Sequence, residues 1–168
     1  MKIELTVDGK YLALSVSSDK PLNLLLRDDL EIKSVHSHCN GRMCGNCIVL
    51  LEGRAVLSCL IPSFAVRGRT IVTYDGFCRT RDYRDIEKAF AACSAFPCDT
   101  CYASRVLLIE SIVRRYERGG SDIDDNEILQ ESQLIRCFCM DSASFLAVVK
   151  ESISNRRKRK NVRRTPLT

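Results

Sequence analysis

Eight of the ten cysteines in this 168-residue chain fall into two sets of four, and that grouping constrains the chain more than any other feature. Cys39, Cys44, Cys47 and Cys59 are spaced C-x4-C-x2-C with a more distant fourth, a pattern that lets four thiolates hold one [2Fe-2S] cluster. Cys98 and Cys101 form C-x2-C, and Cys137 and Cys139 form C-x-C. Four thiolates are again what one small iron–sulfur cluster takes. The two sets together predict an electron carrier with two [2Fe-2S] centres.

The first set has a local physical logic. A loop that brings three thiolates into nine residues must curl around something central. Gly41 and Gly45 are candidate cofactor-binding positions, because glycine adopts φ > 0 without penalty and lets backbone N–H groups approach cluster sulfurs. Ile48-Val49-Leu50-Leu51, the turn Glu52-Gly53, and Ala55-Val56-Leu57 read as a hairpin that returns Cys59 to the loop.

Other uses of cysteine compete. Ten cysteines are about 6% of the chain, below the roughly 8–10% of a short secreted disulfide scaffold. The N-terminus alternates instead of forming an apolar signal core, and no apolar run approaches the ~20 residues of a membrane span. The expectation is a soluble chain in a reducing, cytoplasmic setting, where clustered thiols mean metal or redox chemistry. Zinc is the serious rival, more so for the second set, since C-x2-C is also a zinc-knuckle spacing. His36 and His38 flank the first loop, but four cysteines leave no vacancy for Rieske-type histidine ligands. Cys78 and Cys93 fit neither set and read as small structural residues. No Ser-His-Asp set, P-loop or paired-carboxylate motif appears, so the chain shows no catalytic site of its own.

The net charge of +5 is concentrated at one end. Arg156, Arg157, Lys158, Arg159, Lys160, Arg163 and Arg164 follow the last acid, Glu151, which leaves the rest of the chain near −2. Residues 156–168 are therefore expected to be a disordered basic tail, and nucleic acid is not the expected partner.

The hydropathy pattern predicts an α+β chain of two small domains. In residues 1–77 Ile3, Leu5 and Val7 alternate with polar residues, Asp8-Gly9 marks a hairpin, and Leu12, Leu14 and Val16 alternate again. Asp19 is a candidate cap for a helix with Pro21 in its first turn, running to about Leu30. Ile71 to Tyr74 reads as a last strand, and Asp75-Gly76 as the closing turn. From about Thr80 the period becomes 3.6. Residues 78–155 then predict four short helices: one carrying Ile86, Ala89, Phe90 and Cys93 and ended by Pro97; one from near Cys98 to Gly119-Gly120; one capped by Asp124 with Ile128 and Leu134 inward; and one capped by Asp141 or Ser142. Both ligand segments of the second set would then sit at helix N-termini, whose dipoles favour an anionic cluster.

This order of motifs resembles the small iron–sulfur subunit of the molybdenum hydroxylases, the family of xanthine dehydrogenase, aldehyde oxidoreductase and aerobic carbon monoxide dehydrogenase. The resemblance runs from Leu5 to about Val149. It rests on Pro21-Leu22, Leu26-Arg27-Asp28-Asp29-Leu30, Cys44-Gly45-Asn46-Cys47, Ser58-Cys59 and Pro62, besides the two cysteine sets. It implies a plant-ferredoxin-like β-grasp domain followed by a four-helix-bundle [2Fe-2S] domain. It also implies a large molybdopterin-binding partner subunit, and an FAD-binding subunit or external acceptor. Electrons would pass from molybdopterin to the cluster on Cys98, Cys101, Cys137 and Cys139, then to the cluster on Cys39, Cys44, Cys47 and Cys59. The chain departs from the family around the second set. Pro97-Cys98-Asp99-Thr100-Cys101-Tyr102-Ala103-Ser104 stands where the family has Q-C-G-F-C-T-P-G, so the pterin-contacting glutamine is absent. The alternative from a different class is a stand-alone redox-sensing or metal-structural module.

Overall fold

The computed structural model describes residues 1–17, 19–36, 39, 43–119 and 124–164. Strands β1 (Lys2–Val7) and β2 (Lys10–Ser15) pair antiparallel with Leu5 opposite Leu12 and Ile3 opposite Leu14. Asp8 and Gly9 both take positive φ, +50° and +80°, as a two-residue type I′ hairpin requires. The Asp8 carboxylate also accepts hydrogen bonds from the backbone N–H and the hydroxyl of Thr73, at 2.7 and 2.6 Å. Strand β3 (Ile48–Leu51) turns through Glu52 and Gly53 into β4 (Arg54–Leu57), again with positive φ at both turn residues. Strand β5 (Thr70–Val72) lies parallel to β1 and antiparallel to β3. The resulting mixed sheet has the order β2-β1-β5-β3-β4.

Two apolar cores share this sheet. Ile3, Leu5, Val7, Val49 and Ile71 pack against Leu22, Leu25 and Leu26 on one side. On the other side Ile48 and Leu50 pack against Val106, Leu107, Ile109 and Val113. Strand β3 is thus buried on both faces, which is why it reads as a continuous apolar run where β1 alternates. Each such side chain removed from water contributes about 1.5–3 kcal/mol. Among the described residues the further α-helices are α2 (Tyr74–Phe77), α3 (Arg81–Ala92), α4 (Tyr102–Gly119), α5 (Asp125–Ser132) and α6 (Ser142–Arg164), numbered after α1 (Leu22–Leu24). Helix α4 is central, with every residue from Ser104 to Val113 buried. It is stitched to the sheet by Ser104 and Ser111, whose hydroxyls accept from the N–H groups of Ile48 and Ala55.

Caps account for several boundaries. Thr80 accepts from Tyr83 N–H, Asp124 from Asn126 N–H and Asp141 from Ser144 N–H, each opening a helix as N-caps do. Other boundaries differ from the sequence reading. Helix α1 begins at Leu22 with no side-chain cap, so Asp19 does not cap it, and it continues as a π-helical turn over Leu25–Asp29. Pro21 instead bridges Pro62. Tyr74-Asp75-Gly76-Phe77 forms α2 instead of a strand end and a turn, and a side chain at Gly76 would strike Asp8. Helix α3 stops at Ala92, ahead of Pro97: Ser94 takes φ +50°, its N–H reaches Ala91 O and Ala95 N–H reaches Phe90 O. That is a Schellman stop with serine in the position glycine usually fills. Leu134 is 40% exposed, and Ile135 takes the inward place expected of it. Gly120 lies outside the described residues.

The basic tail is the largest correction. Helix α6 continues to Arg164, and Arg156 is only 1% exposed. Its guanidinium donates to Asp85 on α3 at 3.0 Å and to Glu110 on α4 at 2.7 Å, while Arg159 bonds Asp85 and Asp82. Helices α3, α4 and α6 are thereby locked by charge in addition to apolar contact. Residues 165–168 are outside the described set.

Removing one member of a buried ion network leaves the others desolvated and unpaired, which costs about 3–5 kcal/mol. Arg156→Ala should therefore lower unfolding stability by roughly that amount in urea titrations. Lys150→Ala, which breaks the exposed pair with Asp125, should cost under about 1 kcal/mol. Similar losses from the two variants would contradict the lock.

Candidate metal centres

The two sets of thiols are delivered by different devices. In the first, Met43 and Gly45 take positive φ (+50° and +84°), and the curled loop aims N–H groups at sulfur. Cys44 N–H donates to Cys39 Sγ at 3.2 Å, and Asn46 N–H donates to Cys44 Sγ at 3.4 Å. Cys47 is buried at the start of β3. Cys59 follows β4 in a short 3-10 turn that Ser58 anchors, donating from both N–H and hydroxyl to Cys47 O. Burial pushes the Cys59 thiol up to about 12, and its hydrogen bond to Cys47 and the nearby Cys39 and Cys44 sulfurs add to the shift. Cys44 is raised by burial too. These contacts set Cys39 beside Cys44 and Cys47 beside Cys59. Gly41 and His38 lie outside the described residues, while His36 bonds Asn46 O through its backbone N–H.

In the second set all four sulfurs lie within 4.8 Å of one another. Cys98 and Cys101 occupy the turn just before α4, and Cys137 and Cys139 the loop just before α6. Cys98 Sγ is 3.7 Å from Cys101 Sγ and 3.6 Å from Cys137 Sγ, and Cys101 Sγ is 3.3 Å from Cys139 Sγ. The Cys101 N–H hydrogen bond lowers the Cys98 thiol to about 6, whereas burial raises Cys101. An all-sulfur set of four donors, approached by N–H groups, fits an iron–sulfur cluster at the second set. Burial disfavours anionic sulfur at Cys44, Cys59 and Cys101, a cost that a bound cation would offset.

Cys78 and Cys93 join neither group. Cys78 bonds Asp75 O, and Cys93 ends α3, half-buried beside the helical core instead of within it. Sequence reasoning missed Arg105, 2% exposed and donating to Cys137 O at 2.9 Å. Its signal was available: it stands four residues after Cys101, on the same helix face.

The two centres meet at one point. Arg136 N–H, the residue before Cys137, donates to Cys44 O at 3.0 Å. Gly45 permits this, because a Cβ there would collide with the Leu134 carbonyl and come within 2.6 Å of Ile135 Cα. Gly45→Ala should therefore cost at least about 2 kcal/mol through backbone displacement and a non-glycine φ of this sign. Thermal unfolding checks this, and a variant as stable as wild type would show that the loops are not pressed together.

No family model matches the chain. Among curated proteins it is 29% identical over 156 residues to a nicotinate dehydrogenase subunit from Pseudomonas putida, covering 93% of this chain and 97% of that protein. It is 28% identical over 135 residues to the xanthine dehydrogenase iron-sulfur-binding subunit of Escherichia coli O157:H7, covering 80% and 84%. Among solved structures, quinoline 2-oxidoreductase from Pseudomonas putida 86 superposes with TM-score 0.76 at 21% identity, over 94% of this chain and 96% of that one, which establishes a shared fold. Aldehyde oxidoreductase from Desulfovibrio desulfuricans superposes with TM-score 0.77 at 21% identity, and there the match covers 99% of this chain but 18% of the larger one. The resemblance read from the motifs agrees with these names, which include iron-sulfur-binding subunits of xanthine dehydrogenase and aldehyde oxidoreductase.

Proposed function

We propose that this chain is the electron-transfer subunit of a molybdenum hydroxylase. In this reading Cys98, Cys101, Cys137 and Cys139 hold the cluster that faces a large molybdopterin-binding subunit. Cys39, Cys44, Cys47 and Cys59 hold the cluster that faces an FAD subunit or an external acceptor. A bound [2Fe-2S] cluster takes up and gives back one electron at a time. Residues 1–77 are read as a plant-ferredoxin-like β-grasp domain and 78–155 as a helical [2Fe-2S] domain, within a cytoplasmic complex. Among the described residues no helix is long and apolar enough to cross a membrane.

The observation that carries the proposal is the hydrogen bond from Arg136 N–H to Cys44 O. It joins a ligand of one set to the peptide before a ligand of the other. Electronic coupling falls steeply with distance and is aided by bonded contact, so a single peptide hydrogen bond between ligand segments is what a relay needs. A structural metal knuckle has no use for a second sulfur site so placed. The chain's own residues supply the remainder: N–H groups aimed at sulfur stabilise thiolate charge, and the dipoles of α4 and α6 present their positive ends to the second set.

Anaerobic purification should yield a red-brown protein with two irons and two inorganic sulfides for each cysteine set, and two EPR-distinct centres after reduction. Cys44→Ser and Cys101→Ser should each alter one signal only. The double variant Cys78→Ala, Cys93→Ala should keep both. Zinc in place of iron, or a single centre, would instead support the metal-structural module.

A further inference from the structure

Arg105 is a buried cation with no anion of its own. It is 2% exposed, and among the described residues no carboxylate forms an ion pair with it. Its Nε is buried without a hydrogen-bond partner. Contrast Arg156, equally buried, which Asp85 and Glu110 neutralise. A desolvated guanidinium is retained only where something anionic repays it. The side-chain hydrogen bond of Arg105 leads to the second cysteine set. Its Nη2 donates to Cys137 O at 2.9 Å, and its Cζ lies 5.7 Å from the centre of the Phe145 ring. Phe145 covers one side of the guanidinium with apolar surface, so little water screens it.

We propose that Arg105 is the resident counter-charge of the cluster held by Cys98, Cys101, Cys137 and Cys139, and that it raises the reduction potential of that cluster. The inference rests on the two-cluster reading above. Accepting one electron from the reduced partner adds one negative charge to a site that four thiolates already make anionic. No bond forms or breaks and no proton moves. A fixed positive charge in a low-dielectric surrounding stabilises the more negative state by more than the less negative one, so it favours the reduced form. Arg105 is thus a positioning and tuning residue that acts through its charge and its hydrogen bond to the Cys137 carbonyl.

The test is an anaerobic redox titration of the full chain followed by EPR, for wild type, Arg105→Lys and Arg105→Met, with the Cys101→Ser signal identifying the second centre. Arg105→Met should lower the reduced-to-oxidised ratio of that centre at least tenfold at fixed potential, which is 59 mV for one electron. The other centre should not move, and Arg105→Lys should recover most of the shift. An unmoved midpoint with full iron content would sink the role of Arg105 alone, whereas wild type lacking iron at this set would refute the two-cluster reading as well. Should the Met variant fail to hold iron, wild type grown with 15N-arginine decides the matter. Pulsed EPR should then resolve a 15N coupling at the second centre, and its absence would overturn the proposal.

Discussion

The contact between Cys44 and Arg136 organises the molecule. It requires a glycine at position 45, a β3 strand that starts just after Cys47, and an α5–α6 loop held so that Leu134 and Ile135 press on that glycine. The last condition depends in turn on α6 being fixed against α3 and α4. Arg156 and Arg159 provide that anchorage through Asp85, Asp82 and Glu110. Two sites that look independent in sequence are therefore one construction, in which a charge lock at one end of the bundle supports a hydrogen bond at the other.

Strand β3 is the mechanical link between the halves. Its residues face two cores alternately, Ile48 and Leu50 toward the helices and Val49 toward α1 and β1. Cys47 immediately precedes it. Distortion of either core would therefore be felt at a ligand of the first set, and a rigid ligand frame limits the rearrangement that accompanies each electron transfer.

How far this was legible in the sequence follows from the range of each interaction. The hairpins at Asp8-Gly9 and Glu52-Gly53 could be read because turn geometry is set by two adjacent residues. The cysteine sets could be read because ligand spacing is chemistry written locally. The stop of α3 could not, since Ser94 occupies a left-handed position without the glycine that announces one. Arg156 was hidden because it sits in a run of identical-looking charges, while its partners Asp85 and Glu110 lie 71 and 46 residues away. Gly45 was singled out for its conformational freedom, but its approach to Leu134 is a tertiary fact that no local pattern carries. The π turn at Leu25–Asp29 also left no trace in an ordinary run of leucines.

The central claim is that two one-electron centres are held in direct communication by the joined ligand loops. The most direct measurement is low-temperature EPR of the protein at half and at full reduction. Two centres linked through Cys44 and Arg136 should show magnetic interaction: splitting or broadening of each signal, and faster spin relaxation, that appears only when both are reduced. Signals that simply add, with unchanged shape and relaxation at full reduction, would contradict it.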